Sequence, residues 1–223
     1  WSFQRDKAVG AWARAAGAPW REFQQAGVIR RLKTRNGWAK RWDAHAGAQI
    51  ANPPTLAPIS GIDPGPIPTA GDLNLASDHC PARQSGGRAA AVERLDSFLT
   101  ERGRGYRKEM SSPVTGETAC SRLSPHLAWG TISSREVAPR LWARQREAKE
   151  AGARDGWRGS LSSFNGRLHW RCHFMQKLED EPAIEFDNFN RGFDDMRPTF
   201  NEDWFLRWQQ GETGYPLVDA CMR

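Results

Sequence analysis

The sequence predicts a mainly α-helical protein, with a helical domain from residue 88 onward that follows a shorter mixed segment and a long linker. Three observations carry this. After residue 88 the apolar residues recur at three- and four-residue spacing, and no alternating pattern competes with them. Seven of the 14 prolines crowd into residues 52–87, which show almost no periodic apolar pattern. Residues 1–48 mix short helical patterns with one stretch that reads as extended. Across the 223 residues, 39% are apolar and 26% charged, which excludes wholesale disorder, collagen and coiled coil. No run approaches the ~18 consecutive apolar residues that a membrane-crossing helix needs.

Taken in order, Lys7 to Ala16 reads as a helix with Val9, Trp12 and Ala13 on one face, stopped by Gly17-Ala18-Pro19. Glu22 to Arg30 reads as a short strand and turn that feed a helix around Gly37 to His45. The Pro-rich tract is an interdomain connection, giving a division at 1–48, 49–87 and 88–223. Ala89 to Arg102 is helical, with Ala91, Leu95, Phe98 and Leu99 facing inward and Gly103 and Gly105 beyond its end. A short helix follows at Pro125 to Leu127, with Ser124 as N-cap and Pro125 at its first position, and then another over Ser134 to Ala151. Leu161 to Leu178 is long. It carries Leu161, Phe164, Leu168, Cys172 and Met175 on one face and Trp170, Phe174 and Leu178 on others, a pattern expected of burial on more than one side. Trp204 and Trp208 stand one turn apart, and Gly211 to Tyr215 forms a tight turn into a last helix.

The net charge of +6 is segregated. Residues 1–48 hold 10 basic and 3 acidic side chains, and residues 101–160 hold 12 and 7; residues 161–223 are acidic, with 7 and 11. Basic blocks of this kind favour phosphate-bearing partners, although Arg-rich segments also serve as solvated helix faces. The four cysteines lie 40 or more residues apart with no CxxC pair, so no local zinc motif is present; reduced, mostly buried thiols are the expectation.

Two motifs carry possible chemistry. Cys120-Ser121-Arg122-Leu123-Ser124-Pro125 sets two hydroxyls and a guanidinium on a loop before a helix, a donor arrangement suited to a phosphate; a plain Ser-Pro helix cap explains the same residues. In Arg167-Leu168-His169-Trp170-Arg171-Cys172-His173, the histidines are i, i+4, but the Glu a zinc protease needs after the first is Trp170, so no metal site is expected. Arg167, Trp170, Arg171 and Phe174 instead share a stripe, and an aromatic between two arginines suits a flat anionic ligand; a core Trp with arginines reaching to solvent reads equally well. There is no Walker A and no G-x-S-x-G.

Three stretches in this order resemble the photolyase/cryptochrome flavoprotein family. Its flavin-domain signature Thr-Ser-x-Leu-Ser-Pro-x-Leu-x-x-Gly is met by Ser121 to Gly130, with Cys120 in place of the Thr. Its Trp-Arg pair is met by Trp170-Arg171, and its Thr-Gly-Tyr-Pro-x-Val-Asp-Ala-x-Met-Arg by Thr213 to Arg223. The resemblance implies an all-helical FAD-binding domain over 88–223, truncated, preceded by the C-terminal remnant of an α/β antenna domain (1–48) and the linker that joins them. It implies FAD as cofactor, bound at Tyr106, Ser121, Arg122, Leu123, Ser124 and Arg171, and a possible second antenna chromophore. It implies a nucleic-acid face made of Arg167, Trp170, Arg171 and Phe174, in which Trp170 is the catalytic-site residue stacking a flipped-out pyrimidine dimer. The implied activity is blue-light-driven repair, in which the excited reduced flavin lends an electron to the dimer. A cryptochrome-like photoreceptor without repair and a helical nucleic-acid-binding protein without flavin are the alternatives.

The departures bear on that choice. The family's active-site Glu, three residues before the Trp, is Arg167 here, and a fixed cation cannot accept hydrogen bonds from base N–H groups. Cys172 and His173 replace the Glu and Phe that follow the Trp-Arg pair, and Tyr106 lies about two residues too far upstream. The chain reads as an internal fragment, expected to hold FAD poorly by itself, and the whole protein as a cytoplasmic monomer acting on damaged DNA, with no membrane partner and no metal. Of the 11 tryptophans, most besides Trp170 are expected in the core.

Overall fold

Glycines, prolines and capping side chains cut the chain into helices with no strand among the described residues. The computed structural model describes residues 2–24, 26–51, 55, 57, 59–76, 80, 82–196 and 199–223. They fall into two compact units, 1–176 and 177–223.

In the first unit, α1 (Ser2–Ala15) and α2 (Trp38–Ala46) precede the linker, and α3 (Arg88–Thr100) follows it. A 3-10 turn at Arg102–Gly105 leads into three short helices, α4 (Tyr106–Glu109), α5 (Gly116–Ala119) and α6 (Ser124–Ala128). The long α7 (Ser134–Glu150) and α8 (Trp157–Asp180) complete it, the last turn of α8 belonging to the second unit. The core joins the stripes read from the sequence for α3 and α8 to a face of α7 that the structure reveals. Leu95 and Phe98 of α3, Val137 and Leu141 of α7, and Leu161, Phe164, Leu168 and Cys172 of α8 are all buried. Each large apolar side chain so buried contributes roughly 1.5–3 kcal/mol relative to exposure. Trp38, Trp42 and Ala46 of α2 join the same core, so the segment before the linker packs on the helices after it. Arg135 of α7 fixes the start of the linker, donating to the carbonyls of Ala48 (3.1 Å) and Gln49 (2.6 Å).

Several sequence expectations change. The described residues of 22–30 pair with no strand. The peptide groups of Ile29 are met instead by the Gln176 side chain, which accepts from the Ile29 N–H (2.7 Å) and donates to its C=O (2.9 Å), an amide standing in for a strand neighbour. Gln176, fully buried, thus takes the inward position expected of Met175, which is exposed; 168, 172 and 176 continue one line at four-residue spacing. Trp170, Phe174 and Leu178 are exposed, so α8 is buried along one side there. α8 also begins four residues before Leu161, at Trp157. Ser124 is the first residue of α6 rather than its cap, and Leu123, anchored in the core, precedes it; boundaries of this kind shift by a residue wherever packing outweighs the cap. Trp12, Trp20, Trp129, Trp204 and Trp208 are exposed, because burial follows the helix face that packing closes and not the type of side chain. Cys172 is buried and Cys120 partly so, while Cys80 and Cys221 are exposed; the four are unbonded.

In the second unit, 3-10 turns at Pro182–Glu185 and Arg191–Phe193 precede α9 (Glu202–Gln210) and α10 (Pro216–Met222). The Asn201 side chain caps α9 by accepting from the Trp204 N–H (2.9 Å), and Gly211 ends it at φ 69°, a conformation that favours glycine. The Asp219 carboxylate then accepts from the Thr213 N–H (2.8 Å), the Thr213 hydroxyl (2.5 Å) and the Gly214 N–H (3.0 Å), while Arg223 donates to the Gly211 carbonyl (2.8 Å). Thr213, Gly214, Asp219 and Arg223 therefore shape one turn. Those hydrogen bonds, the Thr213 hydroxyl first, hold the Asp219 carboxyl below its ordinary pKa.

Candidate functional site

The site grows from α8 and the loop before α6. Position 170 lies off the buried stripe, so Trp170 and Phe174 stand 55% and 57% exposed, their rings edge-to-face at 6.2 Å. One turn earlier, the Arg167 guanidinium lies over the Trp170 ring, 4.8 Å from its centre. Arg167 also reaches the Met110 sulfur (4.0 Å) and lies close enough to the Tyr106 phenol to pull its pKa down. Tyr106 is buried against Phe98 and Phe164. Burial raises its pKa, the Cys120 thiol adds to the rise, and Arg167 opposes both. Burial likewise raises the Cys120 thiol, against the pull of Arg122 and Arg102.

The sequence-predicted residues separate by role. Arg171 is half-buried and donates to the Leu127 carbonyl (3.0 Å), so it ties α8 to the end of α6 instead of standing free beside Trp170. Leu123 is 1% exposed and anchors its loop in the core. Arg122 and Ser124 are exposed and Ser121 partly so. Arg122 adopts φ 59°, rare outside glycine, and its carbonyl accepts from the Gln84 side chain (2.6 Å). Its guanidinium pairs with no carboxylate among the described residues. The sequence motif therefore presents a cation and two hydroxyls on a backbone held in a strained turn.

What holds that turn is Arg102, which sequence reasoning missed. Its guanidinium donates to the carbonyls of Thr118 (2.9 Å), Cys120 (2.6 Å), Arg94 (3.0 Å) and Ser121 (3.5 Å), and its Nε to the Ser97 hydroxyl (3.1 Å). Burial, then the neighbouring Arg94 and Arg122, lower its pKa. An Arg after a helix end gives no sign in the sequence that it will gather four carbonyls. The histidines of α8 were also read without their partners. His169 donates from Nδ1 to the Asn165 carbonyl and faces Asp43 through Nε2, both at 2.9 Å, and lies 4.0 Å from the Trp42 ring. His173 accepts at Nδ1 from Arg35 (3.0 Å). They lock α8 to the segment before the linker. Among the described residues, no three His, Cys, Asp or Glu side chains converge as a metal site.

Helices α3 to α8 form an all-helical assembly that carries a donor-rich loop and an exposed aromatic pair. Consistent with this, residues 164–223 match the FAD binding domain of DNA photolyase. The chain is similar to DNA photolyases over most of its length. A deoxyribodipyrimidine photo-lyase of Halobacterium salinarum is 34% identical over 189 residues, covering 83% of this chain and 38% of its own length. One of Escherichia coli is 30% identical over 192 residues, covering 85% and 38%. Among solved structures, a bacterial class III photolyase from Agrobacterium tumefaciens superposes with a TM-score of 0.73 at 27% identity, over 99% of this chain and 47% of that one. The chain thus spans under half the length of these relatives.

The residues present fit FAD in their donor chemistry. The Arg122 guanidinium and the Ser121 and Ser124 hydroxyls are donors that pair with no carboxylate among the described residues, a chemistry suited to a diphosphate and the ribityl hydroxyls.

Proposed function

We propose that this chain is part of a deoxyribodipyrimidine photolyase, a carbon-carbon lyase that uses FAD and blue light to repair pyrimidine dimers in DNA. The observation that carries it is the exposed Trp170–Phe174 pair, beside Arg167 and near a donor loop of the family's flavin-binding type. Bound FAD supplies light absorption and one-electron chemistry that no side chain has. The chain's residues bind and orient. Arg122, Ser121 and Ser124 hold the anionic and hydroxylated parts of the cofactor, with Tyr106 behind them and Leu123 fixing the loop. Arg102 keeps that loop's carbonyls turned away from the ligand, and Arg171 fixes the pitch of α8 so that Trp170 faces outward. Trp170 and Phe174 stack the extruded bases, with unstacking of the dimer already cheap because it is damaged.

In this reading residues 1–48 close an antenna domain docked on the helical domain through Trp38, Trp42 and Ala46, residues 49–87 are the linker, and 88–223 open the FAD domain. Any second chromophore belongs to the antenna domain, and the intact protein is a cytoplasmic monomer. Arg167 favours a second reading, a photoreceptor of the cryptochrome kind, because it removes the acceptor that a base edge would meet.

One experiment separates them. The intact, FAD-loaded protein is illuminated with blue light in the presence of an oligonucleotide carrying one thymine dimer. Loss of dimer, reduced at least ten-fold by Trp170→Ala, is the expected result. Flavin photoreduction with the dimer untouched selects the photoreceptor, and a protein without flavin absorbance refutes both.

A further inference from the structure

We propose that Arg167 is a specificity-determining residue that leaves the Trp170 ring to grip a backbone phosphate of the DNA when a base takes its place; this rests on the proposed stacking role of Trp170. Arg167 covers one face of the very ring on which a base would stack, its guanidinium 4.8 Å from the ring centre. A base that stacks on that face cannot share it with the guanidinium, so stacking there displaces the guanidinium. The displaced group is a fixed cation with five donors and no acceptor. No carboxylate pairs with it among the described residues, and its contact with the Met110 sulfur, at 4.0 Å, is weak.

Leaving the ring forfeits an exposed cation–π contact, a factor of a few in equilibrium terms. A forked, charge-assisted pair with phosphate returns roughly ten-fold or more. The surroundings favour phosphate over a base edge. α4, bound to α8 through the Arg107 N–H on the Ser160 hydroxyl (3.2 Å), brings exposed Arg107 and Lys108 close to α8, and Arg122 is exposed on the adjoining loop. A lip of exposed cations that pair with no carboxylate among the described residues recruits the sugar-phosphate backbone as a whole. A Glu at this position would instead accept from base N–H groups, so the exchange moves recognition from the base edge to the strand.

The test is a cycle between protein and DNA. Binding of the intact protein and of Arg167→Gln is measured in the dark. The probes are a thymine-dimer oligonucleotide and the same oligonucleotide with uncharged methylphosphonates at the phosphates flanking the dimer. The wild type is expected to lose roughly ten-fold affinity on neutralisation, and Arg167→Gln to be indifferent to it. Arg167→Gln is also expected to flatten the dependence of log affinity on log salt by about 0.7–0.9, the share of one phosphate, and Arg167→Lys to restore most of that slope. Equal weakening of both probes by Arg167→Gln would place the guanidinium on the base edge and overturn the inference, as would an unchanged salt slope. Failure of the wild type to bind either probe would overturn the stacking reading itself, and the inference with it.

Discussion

Gln176→Leu should destabilise the first unit by about 2–5 kcal/mol, a large effect for one polar side chain. Gln176 is fully buried, and its amide is the partner of both the Ile29 N–H, at 2.7 Å, and the Ile29 C=O, at 2.9 Å. Leucine is of similar size, so little cavity forms. The cost comes from two backbone groups left without partners in the interior, each about 1–3 kcal/mol. For a domain of this size that corresponds to a fall in Tm of roughly 5–15 °C, read by circular dichroism alongside urea unfolding. Gln176→Glu sharpens the argument. Protonated, its carboxyl has the shape of the amide and can donate to the Ile29 carbonyl; ionised, it presents an acceptor to an acceptor and carries a charge into the core. Its folded pKa must therefore exceed the unfolded value of about 4.3. Stability relative to wild type is then best below that value and is lost as pH rises through the higher folded pKa. A Leu variant within 1 kcal/mol of wild type, or a Glu variant whose deficit does not grow between pH 4 and 7, would refute the assignment of this amide as the surrogate strand partner.

Two further predictions concern neighbouring elements. Glu136 caps α7 by accepting from the Ser133 N–H (3.0 Å) and pairs with Arg88 (2.5 Å); the Arg88 hydrogen bond first, then the Ser133 bonds, hold its pKa down against burial. Its contribution is complete above the unfolded value of about 4.3 and is lost as pH falls through the lower folded one, so stability curves of wild type and Glu136→Gln should converge in acid, and parallel curves would contradict this. Gly27 is buried where a Cβ would lie 1.8 Å from Trp42 Cδ1; Gly27→Ala should cost about 1–3 kcal/mol by forcing Trp42 aside, and thermal unfolding within 0.5 kcal/mol of wild type would show that the ring yields freely.

Periodicity and loop motifs in the sequence were enough for the helical class, the inward stripes of α3 and α8, the existence of α7, and the motif residues Ser121 to Ser124, Trp170-Arg171 and Thr213 to Arg223. These are legible because helix periodicity and loop chemistry are local, written within a few residues of each other. Tertiary structure alone decided what each residue faces. Arg171, paired with Trp170 in the sequence, ties α8 to Leu127, while Arg167 three residues earlier takes the ring. Arg102 gathers carbonyls from both sides of its own position, and Gln176 meets a peptide 147 residues away. Such pairings depend on which chain segments arrive at one point in space, and an unpaired buried backbone group attracts whatever donor or acceptor packing brings to it, at any sequence separation.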